Sequence, residues 1–462
     1  MDNIDKKFLP FKQKMESESL PEIVIRTFRY YYNQLLKGES GIIYENDISS
    51  VDTLPDLENF DEKLKKVGEE HLHETVFIKL NGGLGTGMGL NKAKSLLKIK
   101  NNLTFLDIIA NQAIKTGVPL VLMNSFNTHE DSEKYISRYP GLTKGIPHYF
   151  LQHKIPKIEK ESLAPVNFES DKKLEWCPPG HGEIYAALVI SGILKELLNK
   201  NYKYAFISNS DNLGAILEPK ILGYIVSNDV PFLMEVADRT ESDKKGGHLA
   251  RLKNGQLVLR ESAQCAEEDI KDFQNIKKYK YFNTNNIWID LRRLKQLMVE
   301  KDYILGLPMI RNEKTVDPRN NKSTVVYQLE TAMGSAISVF KNAEALRVPR
   351  TRFAPVKTTN DLLEIRSDAY ILTDDYRLVQ NPERKLPKLY VELDPRYYKK
   401  IDDFEKRFPF GAPSLIECEE LSIKGDIYFG KNVKLIGKNH LINENKEPVF
   451  IADDEVIENH RD

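Results

Sequence analysis

Cysteine is scarce in this chain: Cys177, Cys265 and Cys418 are the three cysteines among 462 residues. They stand far apart, their number is odd, and no Cys-x-x-Cys pair occurs, so the sequence provides no disulfide framework. Free thiols are expected of a protein in a reducing compartment. We therefore expect the protein to be cytoplasmic.

An excess of either charge is also missing, because 67 basic residues face 68 acidic ones. This balance argues against a general surface for nucleic acid or for an anionic membrane. No apolar run approaches the length of a bilayer span, and the polar N-terminus lacks the apolar core of a signal peptide. Any anion site must therefore be a local concentration of donors.

Length and composition indicate a soluble globular protein of two or three domains. The chain is 41% hydrophobic and 29% charged, and its length exceeds one ordinary core. Helical spacing of apolar residues predicts an N-terminal helical segment over 1–74. A central domain is predicted over 75–384 and a C-terminal domain over 385–462, with the boundary near Pro382 and Pro387, where proline and charge density rise.

Short β-rich runs alternate with helices in the central domain. Thr104 and Asp107 form a Thr-x-x-Asp capping box at the start of one helix, and Gly117 ends it. A second helix is predicted over about 182–199 from its apolar spacing. This alternation indicates an α/β fold with a mostly parallel sheet covered on both faces. The predicted strands are 75–80, 119–123, 204–208, 231–236 and 281–289.

The C-terminal domain has a different pattern, in which an aliphatic residue recurs every six positions. Leu415, Leu421, Ile427 and Val433 carry this period. A hexapeptide period of aliphatic residues is typical of a β-helix, where each rung buries one of them. A few ordinary β-hairpins are the alternative.

Five glycines fall within residues 82–89, directly after the apolar run 75–80 and before Lys92 and Lys94. Glycine lets the backbone turn through positive φ and lets N–H groups approach a ligand, which suits a polyphosphate cradle. Residues 82–94, here called the glycine-rich loop, match neither the P-loop nor Gly-x-Gly-x-x-Gly. With a flexible surface turn as the alternative, we interpret them as a nucleoside triphosphate loop of another kind.

Other segments offer groups suited to phosphates, sugars and metal. Asp211 follows a predicted strand and suits Mg²⁺, which takes few carboxylates beside phosphate oxygens and water, although an Asx-turn is the alternative. Gly180 and His181 stand at a helix start that suits a phosphate or sugar hydroxyls. Lys357 follows Pro355 on an extended segment and suits a phosphate, whereas most single lysines are solvated.

Seven motifs, in this order, resemble the UDP-glucose pyrophosphorylase (UTP–glucose-1-phosphate uridylyltransferase) family. Together they span about residues 76 to 362, and so the presumed catalytic domain. They are Leu-Asn-Gly-Gly-Leu-Gly-Thr-Gly-Met-Gly from Leu80, Pro-Pro-Gly-His-Gly from Pro178, Ser-Asn-Ser-Asp-Asn-Leu-Gly from Ser208, Lys-Gly-Gly from Lys245, Phe-Asn-Thr-Asn-Asn-Ile-Trp from Phe282, Gln-Leu-Glu-Thr-Ala-Met-Gly from Gln328 and Arg-Phe-Ala-Pro-Val-Lys-Thr-Thr from Arg352.

The resemblance implies a Rossmann-like nucleotidyltransferase fold with a mixed sheet, helices on both faces and a C-terminal left-handed β-helix. It implies that UTP and glucose 1-phosphate give UDP-glucose and pyrophosphate reversibly, with Mg²⁺ as the cofactor. The sugar phosphate would attack the α-phosphorus in line, without a covalent enzyme intermediate. Such transfer depends largely on positioning and charge stabilisation.

The resemblance also assigns roles to residues of this sequence. Catalysis would fall to Lys357 and Lys94, and the metal would bind Asp211. The expected nucleotide contacts are Leu80, Asn81, Gly82, Gly83, Lys94, Gln152, Gly180, Asp211 and Lys357. The expected contacts with the sugar phosphate are Gly82, Gly83, His181, Asn209, Ser210, Asp211, Glu261 and Asn285.

Two departures from the family pattern open questions. Relatives have Gly-Pro before the loop lysine, whereas this chain has Lys92 and Ala93, so Lys92 competes with Lys94 for the phosphates. The chain ends soon after Glu458 without a further extension, so we expect a monomer or small homo-oligomer. The alternative functions are a pyrophosphorylase for N-acetylhexosamine 1-phosphate or several sugar phosphates, and a nucleotide-sugar sensor that does not catalyse.

Overall fold

A computed structural model describes residues 3–142, 144–386 and 389–459, so that Pro387 of the predicted domain boundary lies outside the described residues. The α-helices are α1 (Asn3–Ser17), α2 (Glu22–Leu36), α3 (Glu62–His71), α4 (Phe105–Thr116), α5 (His129–Ile136), α6 (Ile184–Ile190), α7 (Ile193–Asn199), α8 (Pro219–Asn228), α9 (Ile270–Phe273), α10 (Leu291–Glu300), α11 (Thr359–Arg366), α12 (Pro395–Tyr398) and α13 (Ile401–Arg407).

The strands include all five that the sequence predicts. They are β1 (Ile48–Ser49), β2 (Thr75–Asn81), β3 (Lys98–Lys100), β4 (Leu103–Thr104), β5 (Leu120–Asn124), β6 (Tyr149–Leu151), β7 (Ile155–Pro156), β8 (Ile158–Glu159), β9 (Trp176–Cys177), β10 (Tyr204–Asn209), β11 (Phe232–Asp238), β12 (His248–Leu252), β13 (Leu257–Arg260), β14 (Tyr281–Asp290), β15 (Met309–Thr315), β16 (Val325–Thr331), β17 (Glu344–Arg347), β18 (Tyr370–Leu372), β19 (Leu378–Gln380), β20 (Tyr390–Leu393), β21 (Cys418–Lys424), β22 (Ile427–Phe429), β23 (Lys434–Ile442), β24 (Val449–Ile451) and β25 (Val456–Glu458).

A ten-stranded mixed sheet forms the centre of the fold. Seven of its strands lie in the order β1-β12-β14-β10-β2-β5-β6, while β11 pairs with β14 and β17, and β13 pairs with β12. Strands β10, β2, β5 and β6 are parallel, whereas β14 runs antiparallel to β10 and to β11. The α/β class with a mixed sheet is therefore confirmed, and the parallel arrangement expected of most of the sheet is limited to this half and the β11–β17 pair.

Helices cover both faces of this sheet because successive residues of its strands belong to different cores. Phe77 packs into one apolar core with residues of α4 and α8, while Val76 and Ile78 pack into another with residues of α6, α7 and α10. These three side chains of β2 are each at most 2% exposed. A strand buried on both faces reads as a continuous apolar run, which is how the sequence shows it.

The predicted helix boundaries are confirmed in one case and wrong in the other. Helix α4 begins with the reciprocal capping box of Thr104 and Asp107, and Gly117 ends it in a left-handed conformation. The helix predicted over 182–199 is instead divided into α6 and α7. Gly192, at φ +78°, separates them, because that conformation cannot continue an α-helix.

The register of the parallel strands brings the predicted site segments to one edge. Leu80 lies opposite Asn209, Asn81 lies opposite Asn124, and Asn124 lies opposite Leu151. The carboxyl ends of β2, β5, β6 and β10 therefore coincide. Ligands of open α/β sheets bind beyond these ends.

The N-terminal segment packs closely on helix α8 of the central domain. Helices α3 and α8 cross where Gly68 and Gly223 meet, and a Cβ atom at either glycine would lie 1.8 Å from a carbonyl oxygen of the other helix. The domain boundaries at 74 and 385 stay predictions. None of the helices in the described ranges is both long and apolar enough to cross a membrane. The three cysteines are free, as expected.

Parallel strands form the C-terminal part, in the sheet β20-β21-β23-β25 and the pair β22-β24. The four aliphatic residues of the hexapeptide period are all buried, with at most 2% exposure: Leu415, Leu421, Ile427 and Val433. The period therefore marks inward-facing positions, as expected of stacked parallel strands rather than of hairpins.

We predict that Leu421→Ala lowers the free energy of unfolding by about 3 kcal/mol, since a fully buried leucine leaves a cavity when truncated. Val449→Ala on β24, in the same C-terminal part, is the control. Its side chain is 41% exposed, and we expect a loss below about 1 kcal/mol. Urea denaturation of both variants measures this, and equal losses would contradict the inward packing of the period.

Candidate functional site

The glycine-rich loop leaves β2 at Asn81 and folds back on itself through two left-handed glycines. Gly85 lies at φ +67° and Gly89 at φ +72°, and the loop closes with a hydrogen bond from Lys94 N–H to the Gly83 carbonyl at 3.0 Å. A Cβ atom at Gly85 would approach Leu90 Cδ1 to 2.7 Å, whereas Gly83 and Gly87 face open space. The main chain of the loop is therefore accessible to a ligand.

Three residues predicted to contact the nucleotide converge beside this loop. Gln152 Nε2 donates to the Gly180 carbonyl at 2.9 Å, and a Cβ atom at Gly82 would lie 3.3 Å from Gln152 Oε1. Gly180, at φ +81°, packs so closely that a Cβ atom would lie 2.4 Å from the Thr331 carbonyl oxygen. The three residues are therefore in contact with one another, and their amide groups suit a planar polar base.

The Asn81 side chain does not take part in this group of contacts. Its Nδ2 donates to Asn124 Oδ1 at 2.7 Å and to Ser132 Oγ at 2.8 Å, and the residue is 1% exposed. Any contact between Asn81 and a nucleotide must therefore use its main chain. The neighbouring Leu80 carbonyl accepts from Ser210 N–H at 3.1 Å, which joins this strand end to the turn after β10.

Asp211 and Lys94 meet between the turn after β10 and the glycine-rich loop, at a place here called the opening. Lys94 Nζ lies 2.6 Å from Asp211 Oδ2, and the side chains are 13% and 22% exposed. Lys92 is exposed on the surface. Of the two lysines that the sequence left open, Lys94 is therefore the one directed to the predicted metal position. Asn209, at the end of β10, is half-buried beside it.

The segment that carries Lys357 lies along the turn that carries Asp211. Val356 N–H donates to the Asp211 carbonyl at 3.2 Å, and Pro355 bridges to Asn212 in an antiparallel pair. Lys357 is exposed, and its main-chain N–H donates to Asp361 Oδ2 at 2.8 Å, just before the N-cap residue of α11, Thr358. The structure thus brings Lys94 and Asp211 into contact and places the segment that carries Lys357 beside the Asp211 turn.

Glu261 lies within the electrostatic reach of Lys357. Burial raises the pKa of the Glu261 carboxyl, and the Lys357 charge partly offsets this rise. A Cβ atom at Gly247 would lie 2.5 Å from Glu261 Oε2, so the neighbouring glycine leaves room for the carboxyl. This half-buried carboxyl can accept hydrogen bonds from sugar hydroxyls.

Asn285 occupies an irregular position in β14, at φ +57°, where the pairing with β11 shifts register. Its Oδ1 accepts from Asn283 Nδ2 at 2.8 Å, and its N–H donates to Asn283 Oδ1 at 2.9 Å. A left-handed residue in a strand bulge redirects the chain locally. The two asparagines therefore hold each other's side chains in place at this bulge.

His181 is held as a neutral donor. Its Nδ1 accepts from Met333 N–H at 2.9 Å, which leaves the ring proton on Nε2. Burial lowers the His181 pKa to about 4, so the imidazole stays neutral near pH 7. The residue therefore offers an uncharged N–H group to a phosphate or hydroxyl oxygen.

A buried ion pair that the sequence analysis did not identify lies beneath this opening. Glu235 is fully buried and accepts from Arg352 Nε at 2.7 Å, from Arg352 Nη2 at 2.6 Å and from Trp288 Nε1 at 2.8 Å. The Arg352 carbonyl accepts from Asn212 Nδ2 at 3.1 Å. One carboxylate in the apolar run 231–236 was the signal in the sequence.

Lys79 is the second buried charge that the sequence analysis missed, in the apolar run 75–80. Its Nζ donates to Ser208 Oγ at 2.7 Å and to the Ala215 carbonyl at 3.1 Å, and the residue is fully buried. Burial lowers the pKa of Lys79 to about 7, although the charges of Asp211 and Glu235 oppose this and that of Arg352 adds to it.

The acidic side chain at this opening can hold a metal ion only together with ligands from outside the protein. Within residues 3–142, 144–386 and 389–459, no group of three or more His, Cys, Asp or Glu side chains is arranged to hold a metal ion. A single carboxylate at an opening, such as Asp211, fits Mg²⁺, which keeps several waters and takes phosphate oxygens as ligands.

Known proteins are similar to this chain in sequence and in fold. A family model described as UTP–glucose-1-phosphate uridylyltransferase matches residues 25–436. The Solanum tuberosum UTP–glucose-1-phosphate uridylyltransferase is 43% identical over 396 residues, covering 84% of this chain and 81% of that protein. A probable enzyme of the same name from Schizosaccharomyces pombe is 37% identical, covering 85% and 78%.

Solved structures agree over the whole chain. A variant of UDP-glucose pyrophosphorylase from Leishmania major has a TM-score of 0.91 and 42% identity, covering 99% of both chains. Another variant of that protein, in complex with UDP-glucose, has a TM-score of 0.89 and 43% identity, covering 98% of both. From its motifs, its fold and these relatives, the chain belongs to the UTP–glucose-1-phosphate uridylyltransferase family.

Proposed function

We propose that this protein transfers a uridylyl group reversibly, so that UTP and glucose 1-phosphate give UDP-glucose and pyrophosphate. The observation that carries the proposal is the placement of the contacting residues Gly82, Gln152 and Gly180 at the same edge of the sheet as the Lys94–Asp211 ion pair and the Lys357 segment. The family relation and the Leishmania major complex with UDP-glucose support the same reaction.

The nucleotide would lie along the carboxyl edge of the sheet. Gln152 and the main chain at Gly82 and Gly180 would bind uracil, because these contacting residues carry amide donors and acceptors. Leu80, Asn81 and Gly83 would contact the ribose side through their main chain. The remaining glycine N–H groups would then face the phosphates, as in other nests of main-chain donors.

The transfer itself needs alignment and positive charge rather than a nucleophilic side chain. An oxygen of the sugar phosphate attacks the α-phosphorus, the new P–O bond forms there, and the bond to the β-phosphate oxygen breaks. Pyrophosphate leaves with the electron pair of that bond. Lys94 and Lys357 would stabilise the charge that develops on the phosphate oxygens, since cations aimed at developing charge lower the barrier.

Asp211 would hold Mg²⁺ at this opening, with phosphate oxygens and waters completing the ligand set. The ion would supply charge neutralisation between the phosphates. The side chain of Lys94, 2.6 Å from Asp211 Oδ2, occupies the same opening, so nucleotide phosphates can draw the lysine toward themselves and release the carboxylate oxygen.

The sugar phosphate would bind on the side of His181 and Glu261. The neutral His181 Nε2–H would donate to a phosphate or hydroxyl oxygen, and Glu261 and Asn285 would bind glucose hydroxyls. The turn residues Asn209 and Ser210 would complete this side next to Asp211. Carboxylate and amide groups discriminate hydroxylated sugars well, because a missing hydroxyl leaves them unpaired.

Further properties follow from the family relation. We propose that the parallel strands after residue 389 wind into a left-handed β-helix, which the buried hexapeptide period supports. We propose a cytoplasmic protein with three free thiols, acting as a monomer or small homo-oligomer. Native mass spectrometry of the purified protein measures the oligomeric state.

The proposed substrate is tested with a panel of sugar 1-phosphates. We expect pyrophosphate release from UTP to be at least tenfold faster, at equal concentrations, with glucose 1-phosphate than with galactose or N-acetylglucosamine 1-phosphate. The reason is that Glu261 and Asn285 would bind glucose hydroxyls, so a sugar whose hydroxyl is inverted or acetylated leaves these groups unpaired. A preference for the acetylated sugar, or UTP binding without turnover, would contradict the assignment.

Lys94 and Lys92 form a matched pair two residues apart. We expect Lys94→Ala to raise the KM for UTP about tenfold or more, because a charge-assisted hydrogen bond to a phosphate contributes about 1.5–3 kcal/mol. Lys92→Ala should change the KM less than about twofold, since an exposed charge contributes little. Steady-state kinetics at saturating Mg²⁺ measures both, and the reverse ranking would assign the phosphates to Lys92.

A further inference from the structure

Lys79 is a fully buried cation beneath the Asp211 turn, and its contacts are unusual for a buried charge. Its Nζ donates to a serine hydroxyl and a main-chain carbonyl, and among the described residues it forms no ion pair. The ring of Phe77 lies 4.4 Å from Nζ. A buried ammonium that lacks a carboxylate partner destabilises a fold, because burial removes its hydration.

The two hydrogen bonds of Lys79 span one loop. Ser208 is in β10, just before the turn, and Ala215 follows the turn, so the lysine joins both ends of residues 209–214. Asp211 is at the middle of this segment. Lys79 itself is on β2, one residue before Leu80, and so links the turn to the strand that begins the glycine-rich loop.

The charges around Lys79 are those of the site. Asp211 and Glu235 favour its protonated form, while Arg352 opposes it. Glu235 is already bound twice by Arg352, so its charge is largely compensated. The pKa of Lys79, lowered to about 7, reflects the cost of this burial. A methionine of similar length would remove that cost and keep the volume.

We propose that Lys79 is a positioning residue for the uridylyl transfer, fixing the Asp211 turn through Ser208 and Ala215 at the expense of stability. This inference rests on the proposed function, because Asp211 is its link to the reaction. Lys79 does not face the opening, and it acts on the substrates through the turn. A buried lysine kept only for folding would be expected to stabilise the protein.

The test compares Lys79→Met with Lys157→Met. Lys157 is a second buried lysine, 5% exposed, and its Nζ donates to the Val316 carbonyl at 3.0 Å next to the separate sheet β15-β16-β8. Burial lowers its pKa as well. Both changes remove a buried ammonium, but Lys79→Met alone removes a contact with the Asp211 turn.

We expect Lys79→Met to unfold at an equal or higher urea concentration than the wild type, while kcat falls at least tenfold and the Mg²⁺ concentration for half-maximal rate rises. Lys157→Met should also unfold at an equal or higher urea concentration than the wild type, but its kcat should equal that of the wild type. In the Asp211→Asn background, adding Lys79→Met should lower kcat by less than a further twofold. The reason is that the effects of two residues are not additive when one acts through the other.

Full kcat in Lys79→Met, or a parallel loss of stability and kcat, would overturn the proposal. Should Lys79→Met fail to fold, Ser208→Ala removes one acceptor and keeps the lysine, and an unchanged kcat there would likewise overturn it. Amide hydrogen exchange in residues 209–214, faster in Lys79→Met than in Lys157→Met, tests the positioning without any turnover. Inactive wild-type protein with every sugar phosphate would refute the proposed function separately.

Discussion

The buried ion pair between Glu235 and Arg352 is the interaction on which the site depends. It joins β11 to the segment leading to Lys357, and the Arg352 carbonyl accepts from Asn212 in the Asp211 turn. Removing one partner of such a pair costs about 3–5 kcal/mol, because the other charge stays buried and unpaired. Two distant parts of the chain therefore bring Asp211 and Lys357 to one opening through this contact.

The rest of the site follows from the geometry of parallel strands. The carboxyl ends of β2, β5, β6 and β10 coincide, so the glycine-rich loop, Gln152 and the Asp211 turn emerge side by side. Each contributes a different group: main-chain N–H donors, an amide and a carboxylate. The arrangement suits a reaction whose chemistry lies in the substrates, with the protein supplying alignment and charge.

Local signals in the sequence predicted much of this. The capping box of α4, the apolar strand runs and the hexapeptide period each act over a few residues, so they can be recognised without the fold. The break at Gly192 was missed because a glycine within an apolar helical pattern does not reveal its φ. The inward direction of the Asn81 side chain depends on Asn124 and Ser132, which only the folded sheet brings near.

The buried charges were beyond local reasoning for the same reason. Lys79 and Glu235 each interrupt an apolar run, but their partners lie 129 and 117 residues away in the chain. A direct attack of the sugar phosphate, without a covalent enzyme intermediate, fixes the stereochemistry at the α-phosphorus. With UTP made chiral there by a sulfur substitution, we expect inversion of configuration in UDP-glucose, whereas retention would require a covalent uridylyl intermediate and contradict direct attack.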